Sequence, residues 1–187
     1  GVFKTMNLDL RQYNNLQMYF HAESVKFDGD IKDNELYGVI RLGNDMINNF
    51  YEIKIPLAVT GWGIGVPDAE IWPLQNELNV ALSRLTSLKI ARNQTTLPSV
   101  YFRQVDGDGR EFAIMGNPNL GEVRVFFIGV ENRSRREACT EVWFNELRLN
   151  GLDEKGGYAA MGRVDFKLAD LGTVYISGSV KTAGFAT

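Results

Sequence analysis

From Tyr158 to Lys181 the chain alternates at period two, and that pattern admits one kind of secondary structure. Tyr158, Ala160, Gly162, Val164, Phe166 and Leu168 put small or apolar groups on one face, while Ala159, Met161, Arg163, Asp165 and Lys167 fill the other. Residues 169–172 read as a short turn, after which Val174, Ile176, Gly178 and Val180 alternate against Thr173, Tyr175, Ser177, Ser179 and Lys181. The spacing predicts a hairpin of two matched strands. A hairpin of an ordinary soluble sheet would read this way. So would one piece of a lipid-facing barrel wall, whose strands satisfy their backbone through neighbours and turn apolar side chains to one side only. Two strands cannot close a barrel, so the second reading calls for further strands beyond these.

The residues before this segment read differently. Thr5–Leu10, Leu16–Ser24, Glu35–Leu42, Phe50–Val59, Val100–Val105, Arg110–Met115, Val123–Glu131 and Glu141–Leu149 are short β-like runs. Turn chemistry at Asp28-Gly29-Asp30, Gly43-Asn44-Asp45, Asp106-Gly107-Asp108-Gly109 and Gly116-Asn117-Pro118-Asn119 separates them. So many short strands predict a β-sandwich. One interruption spans Leu74–Arg92. Leu74, Leu78, Leu82, Leu85 and Leu88 fit a helical face, while Leu78, Val80 and Leu82 also alternate as a strand would. A helix is expected over Ser83–Arg92, with Lys89 and Arg92 suited to its C-terminus; Gln75–Leu82 stays open between the two. The Gly-rich, charged stretch Asn150–Gly157 reads as a linker. The expected division is a soluble β-sandwich over 1–152 and a barrel hairpin over 153–187.

Hydrophobic residues make up 44% of the 187, enough for a real core. Twenty basic against 23 acidic residues leave a net charge of -3, which argues against a nucleic-acid surface. The one basic cluster, Arg133, Arg135 and Arg136, reads as a solvated loop. A single cysteine excludes an intrachain disulfide and a thiolate metal cage. No apolar run approaches the roughly 20 residues of a membrane helix, and the chain reads as an internal piece of a longer polypeptide.

Little in the chain points to catalysis. His21, the sole histidine, shares a predicted strand face with Glu23, and no nucleophile elbow accompanies it, so it reads as structural. Cys139, with no histidine nearby, reads as a small buried residue. No catalytic residue is expected. Asn145 and Glu146 offer oxygens of the kind a structural calcium prefers, whereas Asp106 and Asp108 read as turn residues. Trp62 and Trp72, with Tyr51, could form an aromatic platform for a sugar, against the plainer reading of core packing. Apolar side chains on both faces of Val142–Leu149 suggest a strand enclosed between layers, with Trp143 anchoring the core.

Longer stretches carry a resemblance. Residues 140–149 (TEVWFNELRL), 153–160 (DEKGGYAA), 167–172 (KLADLG) and 177–185 (SGSVKTAGF) resemble the SprA (Sov) family. So do 51–57 (YEIKIPL), 71–78 (IWPLQNEL), 89–93 (KIARN) and 115–130 (MGNPNLGEVRVFFIGV). The resemblance implies an outer-membrane translocon of the type IX secretion system, linked to gliding motility and exporting folded proteins. It further implies secreted cargo, a small outer-membrane barrel, a periplasmic plug and outer-membrane lipid as partners. The first 152 residues also resemble, more loosely, a galactose-binding-like jelly roll, which leaves a carbohydrate-binding module of a cell-surface protein as the alternative. Fold alone carries no function.

Overall fold

The strands of the computed structural model follow the alternation closely. It describes residues 1–25, 31–61, 67–152, 158–170 and 172–181. The expected turn at 28–30, Trp62 with the rest of 62–66, the linker residues 153–157 and the end of the 177–185 stretch lie outside the described residues. By its contacts the chain divides into two compact units, Gly1–Leu152 and Asp153–Thr187.

The first unit runs β1 (Val2–Leu8), β2 (Tyr13–Ser24), β3 (Leu36–Gly43), β4 (Phe50–Pro56), α1 (Asp68–Ile71), a 3-10 turn (Leu74–Asn76), β5 (Glu77–Ala81), α2 (Leu82–Thr95), β6 (Phe102–Val105), β7 (Glu111–Met115), β8 (Val123–Asn132) and β9 (Thr140–Leu152). Two antiparallel sheets result, one in the order β1-β8-β3-β4-β7-β6 and one in the order β5-β2-β9. Neither closes on itself. Period two decides which side chains meet: Leu16, Met18, Phe20 and Ala22 of β2 join Ile40 and Leu42 of β3 and Tyr51, Ile53 and Ile55 of β4 in one core. Each such aliphatic side chain contributes about 1.5–3 kcal/mol by leaving water. The sheets approach closely at Gly38, where Phe20 fills the space that a side chain would need.

The open segment resolves into both readings in succession. Residues 77–81 are a strand, with Val80 opposite Leu16 and Leu78 opposite Met18. The helix then starts at Leu82 and reaches Thr95, burying Leu82, Leu85 and Leu88. Leu74, counted in the helical stripe, is 82% exposed because the 3-10 turn lies outside that phase.

Lys89 and Arg92 do more than complement the end of α2. Arg92 is fully buried and donates to the carbonyls of Gly116 (2.7 Å) and Pro98 (3.3 Å) and to the side chains of Asn117 (3.0 Å) and Asn93 (2.9 Å). Lys89 reaches the Pro118 carbonyl at 2.9 Å. Helix and loop are thereby joined. Burial pushes the Tyr51 phenol up to about 12, with the nearby Arg92 charge opposing it.

Ion pairs cover the outer face of the larger sheet. Glu52, only 2% exposed, accepts from Arg41 and from the Tyr101 hydroxyl (2.7 Å). Arg133 forks onto Glu111, contacts Glu131 at 2.6 Å and stacks 3.8 Å over the Tyr37 ring. Its hydrogen bonds to Glu111 outweigh burial and raise its pKa. This corrects the solvated-loop reading for Arg133, which follows directly on β8 and meets carboxylates and an aromatic face; Arg135 and Arg136 are exposed in the loop, as expected.

In β9 the expected enclosed strand is replaced by a change of phase. Tyr19 faces Asn145 and Gln17 faces Arg148, so Glu146 and Leu147 together stand opposite Met18. Glu146 holds φ 56, the left-handed value that accompanies such a bulge. Before it the inward residues are Val142 and Phe144; after it Leu149 takes that side. Apolar residues on both nominal faces therefore mark a bulge. Trp143, expected as a core anchor, is 56% exposed.

Candidate functional site

The second unit is a two-stranded antiparallel sheet of β10 (Ala159–Leu168) and β11 (Gly172–Lys181). Register sets its chemistry. Ala160 faces Val180, Gly162 faces Gly178, Val164 faces Ile176, Phe166 faces Val174 and Leu168 faces Gly172. One side of the ribbon is thus apolar or glycine at every position. Cross-strand partners share a face, so a shift by one residue would have mixed the two sets. The opposite side pairs Met161 with Ser179, Arg163 with Ser177, Asp165 with Tyr175 and Lys167 with Thr173. Arg163 meets Asp165 at 2.9 Å and lies 5.4 Å over the Tyr175 ring. Val164, Phe166, Ile176 and Val174 are 50%, 49%, 57% and 43% exposed, leaving a continuous apolar surface uncovered by this unit. At Gly162 and Gly178 nothing approaches the position of a side chain.

A second concentration of chemistry lies on the outer face of the β5-β2-β9 sheet. Period two sends Asn15, Gln17, Tyr19, His21 and Glu23 outward from β2. Amides link the strands: Asn15 donates to Asn79 (3.0 Å), Gln17 to Glu77 (2.6 Å), and Asn150 to Gln17 (2.7 Å). Further along, His21 is 5% exposed beneath Trp72 and Trp143, with ring centres 5.7 and 6.0 Å from its own. Its Nδ1 lies 2.7 Å from the Ile71 carbonyl, which only accepts, so Nδ1 carries the proton. Nε2 lies 3.4 Å from Glu23. Among the described residues the ring's hydrogen-bond contacts are the Ile71 carbonyl and the Glu23 carboxylate.

The remaining sequence candidates fall separately. Trp72 packs half-buried against His21, and Trp62 lies outside the described residues. Tyr51 is 2% exposed because β4 turns it into the core, which removes it from any surface platform. Asn145 and Glu146 sit exposed at the β9 bulge, where the Glu146 carboxylate pairs with Arg148 at 2.7 Å. Asp106 and Asp108 engage Arg84 (2.6 Å) and Arg110 (2.9 Å) around a tight turn. Among the described residues no group of three or more His, Cys, Asp or Glu is placed to hold a metal ion. Cys139, expected to be buried, is exposed, because it lies in the irregular stretch leading to β9. The surface aromatic missed from sequence is Trp143, hidden by the change of phase three residues later.

No helix among the described residues is long and apolar enough to cross a membrane. No curated protein matches the chain. The family model SprA_N, described as motility related/secretion protein, matches residues 1–187. A two-sheet β unit followed by a ribbon with one wholly apolar face accompanies that match over the full length, and the chain belongs to the SprA_N family of motility-related and secretion proteins.

Proposed function

We propose that this chain is part of an outer-membrane translocon that exports folded proteins through the type IX secretion system. The carrying observation is the register of β10 and β11, which leaves no charged residue on one face of the ribbon. A strand pair in a bilayer needs that segregation, and neighbouring strands would satisfy its outer edges. Family membership supports a role in secretion or motility. The first 152 residues act in this reading as a jelly-roll-like domain attached to the barrel. Secreted cargo, a small outer-membrane barrel, a periplasmic plug and outer-membrane lipid are its partners. The chain works by placement and not by catalysis.

Arginine substitution distinguishes the two ribbon faces. Val164→Arg or Phe166→Arg should cost about 2–4 kcal/mol near the bilayer midplane, while Arg163→Ala or Lys167→Ala should be mild. The assay is assembly of the complete protein into outer membranes, read as the folded, membrane-extracted fraction. Equal tolerance on both faces would reject a lipid-facing wall.

A further inference from the structure

The outer face of the β5-β2-β9 sheet contains a pair of like charges that the fold leaves facing each other. Glu23 and Glu141 are direct cross-strand partners, and His21 and Trp143 are the next outward pair, so the four side chains form a two-by-two grid. Like charges directly opposite one another are unfavourable. Among the described residues no lysine or arginine pairs with either carboxylate, and Glu23 has only the His21 ring at 3.4 Å. Glu141 is oriented by its neighbour, since the Trp143 indole N–H donates to it at 2.6 Å. Trp143, 56% exposed, presents its ring beside the two carboxylates, and the half-buried Trp72 also packs on His21, ring centres 5.7 Å apart.

Independent features thus favour one ligand chemistry. Two adjacent carboxylates attract positive charge, and the exposed Trp143 indole attracts a cation through the ring quadrupole. Guanidinium satisfies both at once. It is planar, stacks on an aromatic face and carries N–H groups spaced to fork onto carboxylates, whereas an ammonium is a compact, strongly hydrated point charge. We infer that the Glu23–Glu141–Trp143 grid, backed by His21 and Trp72, is a binding site for an arginine side chain of a protein partner. The rest of the face suits an extended segment: the amides of Asn15, Asn79 and Asn150 continue along the sheet from the grid. The site lies wholly within the first unit and does not depend on the membrane reading.

The test uses the full 187-residue chain, isotopically labelled and held in a non-ionic detergent. Indole N–H resonances are followed during titration with acetyl-Gly-Arg-Gly amide and with the same peptide carrying lysine or neutral citrulline. The Trp143 resonance should shift saturably with the arginine peptide, at least about ten-fold more tightly than with either analogue. Glu23→Gln with Glu141→Gln should weaken arginine binding about ten-fold or more, as should Trp143→Leu. Glu23→Gln alone provides the measurement if the double variant loses its cooperative thermal transition. Equal binding of the citrulline or lysine peptide, no saturable shift, or undiminished affinity in the folded carboxylate variants would overturn the assignment.

Discussion

The Phe20 ring occupies the place where Gly38 would carry a side chain: a methyl carbon built there would fall 2.5 Å from Cε1 and 2.7 Å from Cδ1 of that ring. The glycine is therefore required by packing between the two sheets, and its φ is not the reason. Phe20 is fully buried and also meets Phe144 edge-on at 5.2 Å, so it cannot step aside without disturbing β9. Gly38→Ala should destabilise the first unit by about 1–3 kcal/mol through overpacking. Chemical denaturation measures it. Phe20→Leu combined with Gly38→Ala should recover part of the loss, giving a coupling term in the double-mutant cycle; strict additivity would reject the steric account.

Arg92 is the most exacting polar residue of the core. Its partners are carbonyl and amide oxygens of Pro98, Gly116, Asn117 and Asn93, so removing it unties α2 from the loop at 116–117 and takes a donor from the half-buried carbonyls of Pro98 and Gly116. Arg92→Ala should cost about 2–4 kcal/mol, combining the lost charge-assisted hydrogen bonds with the volume emptied at a fully buried position. Arg92→Lys should recover little, because an ammonium cannot reproduce the planar fork. Equilibrium unfolding of the two variants decides the matter, and full rescue by lysine would reject it.

Asp45 makes stability depend on acid. Burial pushes its pKa up, but hydrogen bonds from the Asn48 amide, the Asn49 side chain and the Ile47 and Asn49 amides outweigh that and hold it at about 2, against a usual 3.8. The folded value is depressed, so its contribution is complete above pH 3.8 and is lost as pH falls through about 2. Solvent screening limits it to the order of 1 kcal/mol. Asp45→Asn should lower stability at neutral pH and flatten its pH dependence between those two values. Parallel slopes for both proteins in acid unfolding would contradict this.

The change of phase at Glu146 inverts what β9 suggests on inspection. Trp143→Ala should shift stability by no more than about 1 kcal/mol, since the ring is mostly in water. Phe144→Ala, on the inward side, should cost about 3 kcal/mol. Glu146→Gly should be neutral or stabilising by up to about 1 kcal/mol, because glycine accepts positive φ without steric cost. Thermal melts of the three variants check the ordering, and a Trp143 loss exceeding that of Phe144 would defeat it.

The legible parts of the chain were those in which one period runs without interruption. Leu16 to Ala22 and Val164 to Leu168 each keep their phase, and the structure places them accordingly. Leu74 to Leu88 could be counted on either period because a 3-10 turn, a strand and a helix succeed one another there within a single leucine-rich run. Trp143 was misjudged because alternation was carried across a bulge marked only by Glu146, a residue with no special preference for positive φ. Arg92 reads only as a charge suited to a helix end, and Arg133 as a solvated residue, because charge alone does not announce the carbonyls or carboxylates that a distant loop or strand will supply. The carboxylate pair of Glu23 and Glu141 was likewise invisible, since it arises from a register between segments far apart in the chain.

The facing glycines of the terminal ribbon have a mechanical consequence. With no Cβ on Gly162 or Gly178, neither strand resists closer approach or sharper coiling at that rung, while Val164 with Ile176 and Ala160 with Val180 stiffen the rungs beside it. Bending is thus concentrated on a single line across the ribbon. Any larger curved surface that incorporates these strands acquires a built-in crease there, and its curvature is set by the absence of two methyl groups.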